Sequence, residues 1–142
     1  MNISENILKK LYKLAKKSLK KDNFPVAAVI FDNTNKIIGY GYNNRKNSKK
    51  TIDHAEINAI NMANKKLKSN ILQNTCMVVT LEPCDMCKNV IKEARINSVF
   101  YLNSKLDFKK QYTRTTFSKL DINDILNEEY IYDITHFFQA KR

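Results

Sequence analysis

His54, Glu56, Cys84 and Cys87 are the residues of this sequence whose types and spacing could do chemistry together. The first two stand in His54-Ala55-Glu56, the others in Pro83-Cys84-Asp85-Met86-Cys87. One imidazole and two thiols meet the three protein ligands of a catalytic zinc site, which keeps a fourth position open for water. Cys84 and Cys87 are spaced to share one face of a helical first turn. A helix N-terminus also favours the thiolate, which is the ligating form. Glu56 follows His54 by two positions, so on a helix it cannot point where His54 points. It can reach a water on the zinc without ligating the metal. Zinc lowers the pKa of such a water from about 15.7 to roughly 7. A carboxylate beside it can take the proton, pass it to a ring nitrogen and then protonate a departing amine. That chemistry would be hydrolytic deamination.

Each half of the constellation has other readings. Cys-x-x-Cys alone could be a redox dithiol, or half of a structural zinc knuckle on an RNA-binding module. A structural zinc would need a fourth ligand, and the spare candidates are Cys76 and His136. Cys76 sits in a β-branched, apolar run and reads as a small core residue. His136 adjoins Phe137 and Phe138 on a C-terminal helix and reads as partly exposed. Glu56→Ala separates these readings: a deaminase should keep its zinc yet lose turnover by orders of magnitude, while a knuckle or a dithiol should keep its function.

Elements must bring the two short motifs together. Ile7, Leu8, Leu11, Leu14, Ala15 and Leu19 recur at helical spacing among lysines, with Ser4 as N-cap, which predicts an amphipathic helix up to Asn23. Val26–Phe31 and Lys36–Tyr42 flank the turn formers Asp32 to Asn35 and predict a hairpin. Gly39 and Gly41 share one strand face, where bulk is expected to be excluded. Residues 43–53 read as a loop. His54–Leu67 reads as a helix with Ile60, Ala63 and Leu67 on the stripe of Glu56. Cys76–Leu81 reads as a strand, Pro83–Ala94 as a helix, Ser98–Leu102 as a strand and Ile122–Phe138 as a helix. Strand–helix–strand steps imply parallel pairing through crossover helices. Asn103–Lys119 is polar and basic, and periodicity assigns it no element.

The chain has 142 residues, which suits one domain over 1–142 with one core. No apolar run approaches the roughly 18 residues that span a bilayer, so no membrane association is expected and the cytoplasm is the expected location. Three cysteines in a reducing compartment suit metal binding better than a disulfide. The net charge of +11 favours a polyanionic partner, nucleic acid being the commonest. A sequence so rich in Lys, Asn and Ile also follows from an AT-rich genome without selection for binding.

His-x-Glu followed by Pro-Cys-x-x-Cys is the signature of the zinc deaminases, and the chain resembles the cytidine deaminase superfamily. More narrowly it is similar to the bacterial tRNA-specific adenosine deaminase family. The resemblance runs through Phe24-Pro25-Val26-Ala27-Ala28-Val29, Gly39 to Asn43, His54-Ala55-Glu56, Thr80 to Cys87, and Phe137 to Arg142. It implies a three-layer α/β/α fold around a mixed, roughly five-stranded sheet, whose fifth strand would lie in the C-terminal third. It implies one zinc ion per subunit, a homodimer whose subunits both form the RNA groove, and conversion of adenosine to inosine at the tRNA wobble position, usually in an arginine tRNA. Asn43 would hydrogen-bond the flipped purine. Lys109, Lys110, Arg114, Lys141 and Arg142 are candidates for phosphate contacts, as are the lysines Lys16, Lys17, Lys20 and Lys21. Deamination of a free base or nucleoside, of guanine or cytosine type, is the alternative within the same chemistry. Three departures bear on substrate choice: Ala27 stands where the family usually has Gly, Lys50-Thr51-Ile52-Asp53 replaces Asp-Pro-Thr-x, and the 103–119 segment is shorter and lacks glycine.

Overall fold

A computed structural model describes residues 3–104, 115–120 and 125–140. They fall in two compact units, Met1–Phe108 and Lys109–Arg142. The first unit carries α1 (Glu5–Lys20), β1 (Ala27–Asp32), β2 (Ile37–Tyr42), the short α2 (Arg45–Ser48), α3 (Ala55–Leu67), β3 (Thr75–Val79), α4 (Asp85–Ala94) and β4 (Ser98–Tyr101). The second carries α5 (Ile125–Ala140). Among the described residues no helix is long and apolar enough to cross a membrane.

The sheet has four strands in the order β2-β1-β3-β4, not the roughly five expected. The described residues of the C-terminal third, 115–120 and 125–140, add no strand beside β4. Their sequence explains this in part, since 125–140 carries helical spacing. β1 pairs antiparallel with both β2 and β3, while β3 and β4 are parallel. The α4 crossover therefore joins neighbouring parallel strands. The α3 crossover joins β2 to β3 across β1, which lies between them.

β1 is buried on both faces, as a central strand covered by helices must be. Ala27, Val29 and Phe31 pack with Val78 against Ile7, Leu11 and Leu14 of α1. Ala28 and Ile30 pack with Met77 and Val79 against Ala55, Ala59, Ile60 and Ala63 of α3 and Ile91 and Ala94 of α4. The layers are thus α1, sheet, and α3 with α4. Ser4 caps α1 by accepting from the Ile7 N–H at 3.3 Å. Glu5 in the first turn and Lys17 and Lys20 in the last suit the helix dipole.

The face toward α3 is unusually close. A Cβ on Gly41 would lie 2.5 Å from the Ala55 carbonyl oxygen, and one on Gly39 would strike the carbonyl of Ala59. The expectation that bulk is excluded there is met by alanines at 55, 59 and 63 on the facing helix. The glycines are used for this approach and not for turns. The left-handed positions fall on Asp22, Asn35, Lys49, Lys68, Asn74 and Arg95 instead. Two sequence expectations need correction. Residues 45–48 form a short helix within the stretch read as a loop. Leu67 is 44% exposed, because the stripe of α3 leaves the sheet after Ala63.

Candidate metal centre and active site

His54 and Cys84 are both N-cap residues with extended backbone, of α3 and α4 respectively. Pro83 thus precedes the cap and does not open the helix. The His54 Nδ1 lies 3.8 Å from the Cys84 Sγ and 3.5 Å from the Cys87 Sγ. The three ligand atoms are within 4.8 Å of one another. Metal–sulfur bonds of about 2.3 Å and metal–nitrogen bonds of about 2.0 Å give tetrahedron edges near 3.6 Å, so these residues fit a tetrahedral zinc. Among the described residues Cys76 does not join the cluster. Cys76 packs on the α1 side of the sheet, and His136 is exposed and stacks on Tyr132 at 5.6 Å.

Glu56 is 3% exposed. Burial raises its pKa, against the opposing effect of its own backbone N–H and a hydrogen bond to Cys87. A carboxyl so placed is pushed toward the range where it can both take and give a proton. The two thiols diverge. A hydrogen bond from Cys87 brings Cys84 down to about 5, with help from His54 and against the effect of burial. Cys87 is raised, first by that same bond and then by burial. Without a cation one sulfur ionises at the expense of the other. A divalent ion is the partner that lets both ligate as thiolates.

Tertiary hydrogen bonds hold the motifs in place. The Asn58 amide donates to the Tyr42 carbonyl at 3.1 Å and to the Asp53 carboxylate, tying the end of β2 to the residue before His54. The Ala27 N–H donates to Thr80 Oγ1 at 3.1 Å, and the Asn103 amide donates to the Thr80 carbonyl at 2.9 Å. These fix the segment leading into Cys84. The Glu82 N–H adds a bond to the Asn103 carbonyl at 2.9 Å.

Asn43 follows β2 and lines a cleft of about 460 Å³ beside the turn at 22–24. Its side-chain amide donates to the Phe24 carbonyl at 3.3 Å. Its own carbonyl accepts from the hydroxyl of Ser18 at 2.6 Å, and that hydroxyl also lies 3.0 Å from the Phe24 carbonyl. Ser18 is fully buried, and sequence reasoning missed it. The signal was present: Ile7, Leu11, Leu14 and Ser18 form one buried stripe, and Ser18 is its single polar member. Ala27 packs on the α1 side. Lys109, Lys110, Arg114, Lys141 and Arg142 lie outside the described residues. Lys17 of α1 and its C-cap residue Lys21 lie over the ring of Tyr42 at 5.3 and 5.2 Å.

Two helix starts, a His/Cys/Cys cluster and a buried glutamate beside it define a metal-dependent deaminase class of site. Residues 1–103 match the model of the cytidine and deoxycytidylate deaminase zinc-binding region, and the chain belongs to that family. The tRNA-specific adenosine deaminase of Haemophilus influenzae is 30% identical over 97% of this chain and 84% of its own length. That of Streptococcus pyogenes serotype M18 is 44% identical over 68% of this chain, a match that spans 60% of the Streptococcus protein. A solved structure from studies of A-to-I editing by tRNA:A34 deaminases superposes with a TM-score of 0.68 at 28% identity, covering 72% of this chain and 73% of that one. Guanine deaminase from Bacillus subtilis superposes with a TM-score of 0.75 at 27% identity, covering 94% of each chain.

Proposed function

We propose that this chain is a zinc-dependent hydrolase that converts adenosine to inosine at the wobble position of tRNA. The observation that carries the chemistry is the convergence of His54, Cys84 and Cys87 beside the buried Glu56. The tRNA substrate is supported by relatives that bear that name, by the wobble-position deaminase structure and by the net charge of +11. An arginine tRNA is the expected substrate, a homodimer the expected assembly and the cytoplasm the expected location.

In this reading His54, Cys84 and Cys87 hold one zinc ion. Bound there, zinc supplies the acidity that makes water a nucleophile near neutral pH. Glu56 accepts the proton of the attacking water and delivers it to the ring nitrogen of the purine. The carboxylate then takes the second proton of that water from the hydroxyl now on the ring carbon and gives it to the departing amine, so the carbon–nitrogen bond breaks, ammonia leaves and adenosine has become inosine. Asn43 hydrogen-bonds the flipped base, and Ser18 sets the backbone of Asn43. Lys109, Lys110, Arg114, Lys141 and Arg142 are assigned to phosphate contacts.

The test is nucleoside mass spectrometry of a tRNA pool treated with the zinc-loaded protein. Inosine replacing wobble adenosine is the expected result, and no inosine at stoichiometric protein would overturn the reading. A second reading, deamination of a free purine base, is favoured by the 94% coverage of the guanine deaminase. Steady turnover of free guanine without salt-sensitive tRNA binding would select it.

A further inference from the structure

We propose that Asn58 is a positioning residue that sets the metal ligand His54 and the base-binding Asn43 in register with each other. The inference rests on the reading of the site above and names the side chain that joins its two halves. Asn58 stands one helical turn after His54, and its backbone N–H closes that turn on the His54 carbonyl at 3.0 Å. Its side-chain amide leaves α3 and donates twice, to the Tyr42 carbonyl at 3.1 Å and to the Asp53 carboxylate. The first acceptor belongs to the peptide that leads into Asn43, the second to the residue before His54.

An amide nitrogen carries two hydrogens, and both are used here. A carbonyl and an ionised carboxylate only accept, so the nitrogen has to face them. The amide cannot flip without leaving both acceptors unpaired. One half-buried side chain therefore fixes two backbone segments at a defined separation.

Both segments need that hold. His54 is the N-cap of α3, yet its side chain makes no capping bond, because the imidazole faces the two sulfurs. An N-cap side chain ordinarily bonds an N–H of the first turn. The chain at His54 is held through its neighbour instead: Asn58 takes the Asp53 carboxylate, and the Asn44 N–H donates to the Asp53 carbonyl at 3.2 Å. On the other side, the Asn43 N–H donates to the Val26 carbonyl at 2.9 Å, which ties it to the approach to β1. The tie of that segment to α3 comes from Asn58. Gly41 makes the approach possible, since a Cβ there would lie 2.7 Å from the Cβ of Asn58. In deamination the metal side supplies the nucleophile and Asn43 holds the ring it attacks. An error of about 1 Å in such a separation can cost on the order of 10²-fold in rate.

The experiment exchanges the partners. Asn58→Asp keeps the shape and removes both donors, so both ties are lost. Asn58→Asp combined with Asp53→Asn restores a donor–acceptor pair between positions 53 and 58 but leaves the Tyr42 carbonyl facing an acceptor. Asp53→Ala removes the arm toward His54 alone. Competition with a chromophoric chelator reads the metal side, and the absorption bands of the cobalt(II)-substituted protein report ligand geometry. The KM of an anticodon stem–loop RNA reads the base side. Asn58→Asp should bind zinc about tenfold more weakly and raise KM about fivefold, the worth of one hydrogen bond. The exchanged pair should recover zinc binding and the cobalt spectrum while KM stays raised. Asp53→Ala should weaken zinc with KM unchanged, which keeps the test open if Asn58→Asp folds poorly. Unchanged zinc binding in Asn58→Asp, or equal weakness in the exchanged pair, overturns the inference. So does any series in which zinc binding and KM move together in all three variants, since a residue that only holds the fold cannot separate them. The zinc measurements need no substrate. They decide the inference even where the unaltered protein makes no inosine, the result that overturns the tRNA reading itself.

Discussion

The two ends of the sheet are built by different means. At the turn end of the β1–β2 hairpin the ties are local: Asp32 accepts from the Thr34 N–H at 2.9 Å, the Thr34 hydroxyl at 2.6 Å and the Lys36 N–H at 3.0 Å. At the site end the ties span distance. Ser18 reaches Asn43, Asn58 reaches Tyr42, and Thr80 reaches Ala27. A local tie can form whenever its turn forms. A distant one forms only when the helices and strands are packed, so the site end is as precise as the tertiary structure and no more. Substitutions at the turn end should change stability alone, and those at the site end should also change function.

The largest test of that contrast is Glu56→Ala. Loss of a positioned general acid–base should lower kcat by about 10²- to 10⁴-fold, with zinc content unchanged by metal analysis. Zinc loss in this variant would move Glu56 from proton carrier to metal support.

Next comes the pair of glycine substitutions. Gly41→Ala and Gly39→Ala each force a methyl against backbone of α3 and should cost about 1–3 kcal/mol by thermal or denaturant unfolding. They should differ in function. Gly41 faces Ala55, between His54 and Glu56, while Gly39 faces Ala59 and Ala63 a turn or more away. Gly41→Ala should therefore also weaken zinc retention against a chelator, and Gly39→Ala should retain it.

Ser18→Ala removes the donor to the Asn43 carbonyl, for about 1 kcal/mol. Its sharper readout is kinetic: KM should rise with kcat little changed, because the base-binding side is loosened and the metal corner is not. A pure stability loss with KM unchanged would show that Ser18 holds the fold without setting the site.

The smallest effect belongs to the turn end. Hydrogen bonds from the Thr34 hydroxyl and the Lys36 N–H hold the Asp32 carboxyl below its ordinary pKa. A depressed acid stabilises the fold fully above the ordinary carboxylate range and loses that effect as pH falls through the depressed value. The melting temperature should thus fall below about pH 4, and Asp32→Asn should flatten that fall while leaving turnover intact.

The metal corner was legible in the sequence because its information is local. His54, Glu56, Cys84 and Cys87 sit within two short motifs at helix starts, and spacing alone places each pair. Amphipathic stripes likewise marked α1 and α3, and the proline start marked α4, to within a few residues. The short α2 was not legible: Arg45 to Ser48 has no buried residue, so no apolar period announces it. The fifth strand was an expectation from resemblance, and the described sheet has four.

By itself the sequence determined which residues could ligate, which carboxylate could carry a proton, and that both cysteines stand at a helix start. Ligand type and helical spacing are properties of a few neighbouring residues. Only the tertiary structure decided that His54 meets the two sulfurs from 30 and 33 positions away. It also decided that Glu56 is buried against them, that Ser18 holds the Asn43 carbonyl, and that Asn23 accepts from the Lys46 N–H and donates to the Asn47 side chain. Serine, asparagine and lysine are common surface residues, and their role comes from partners that the packed helices and strands bring to them.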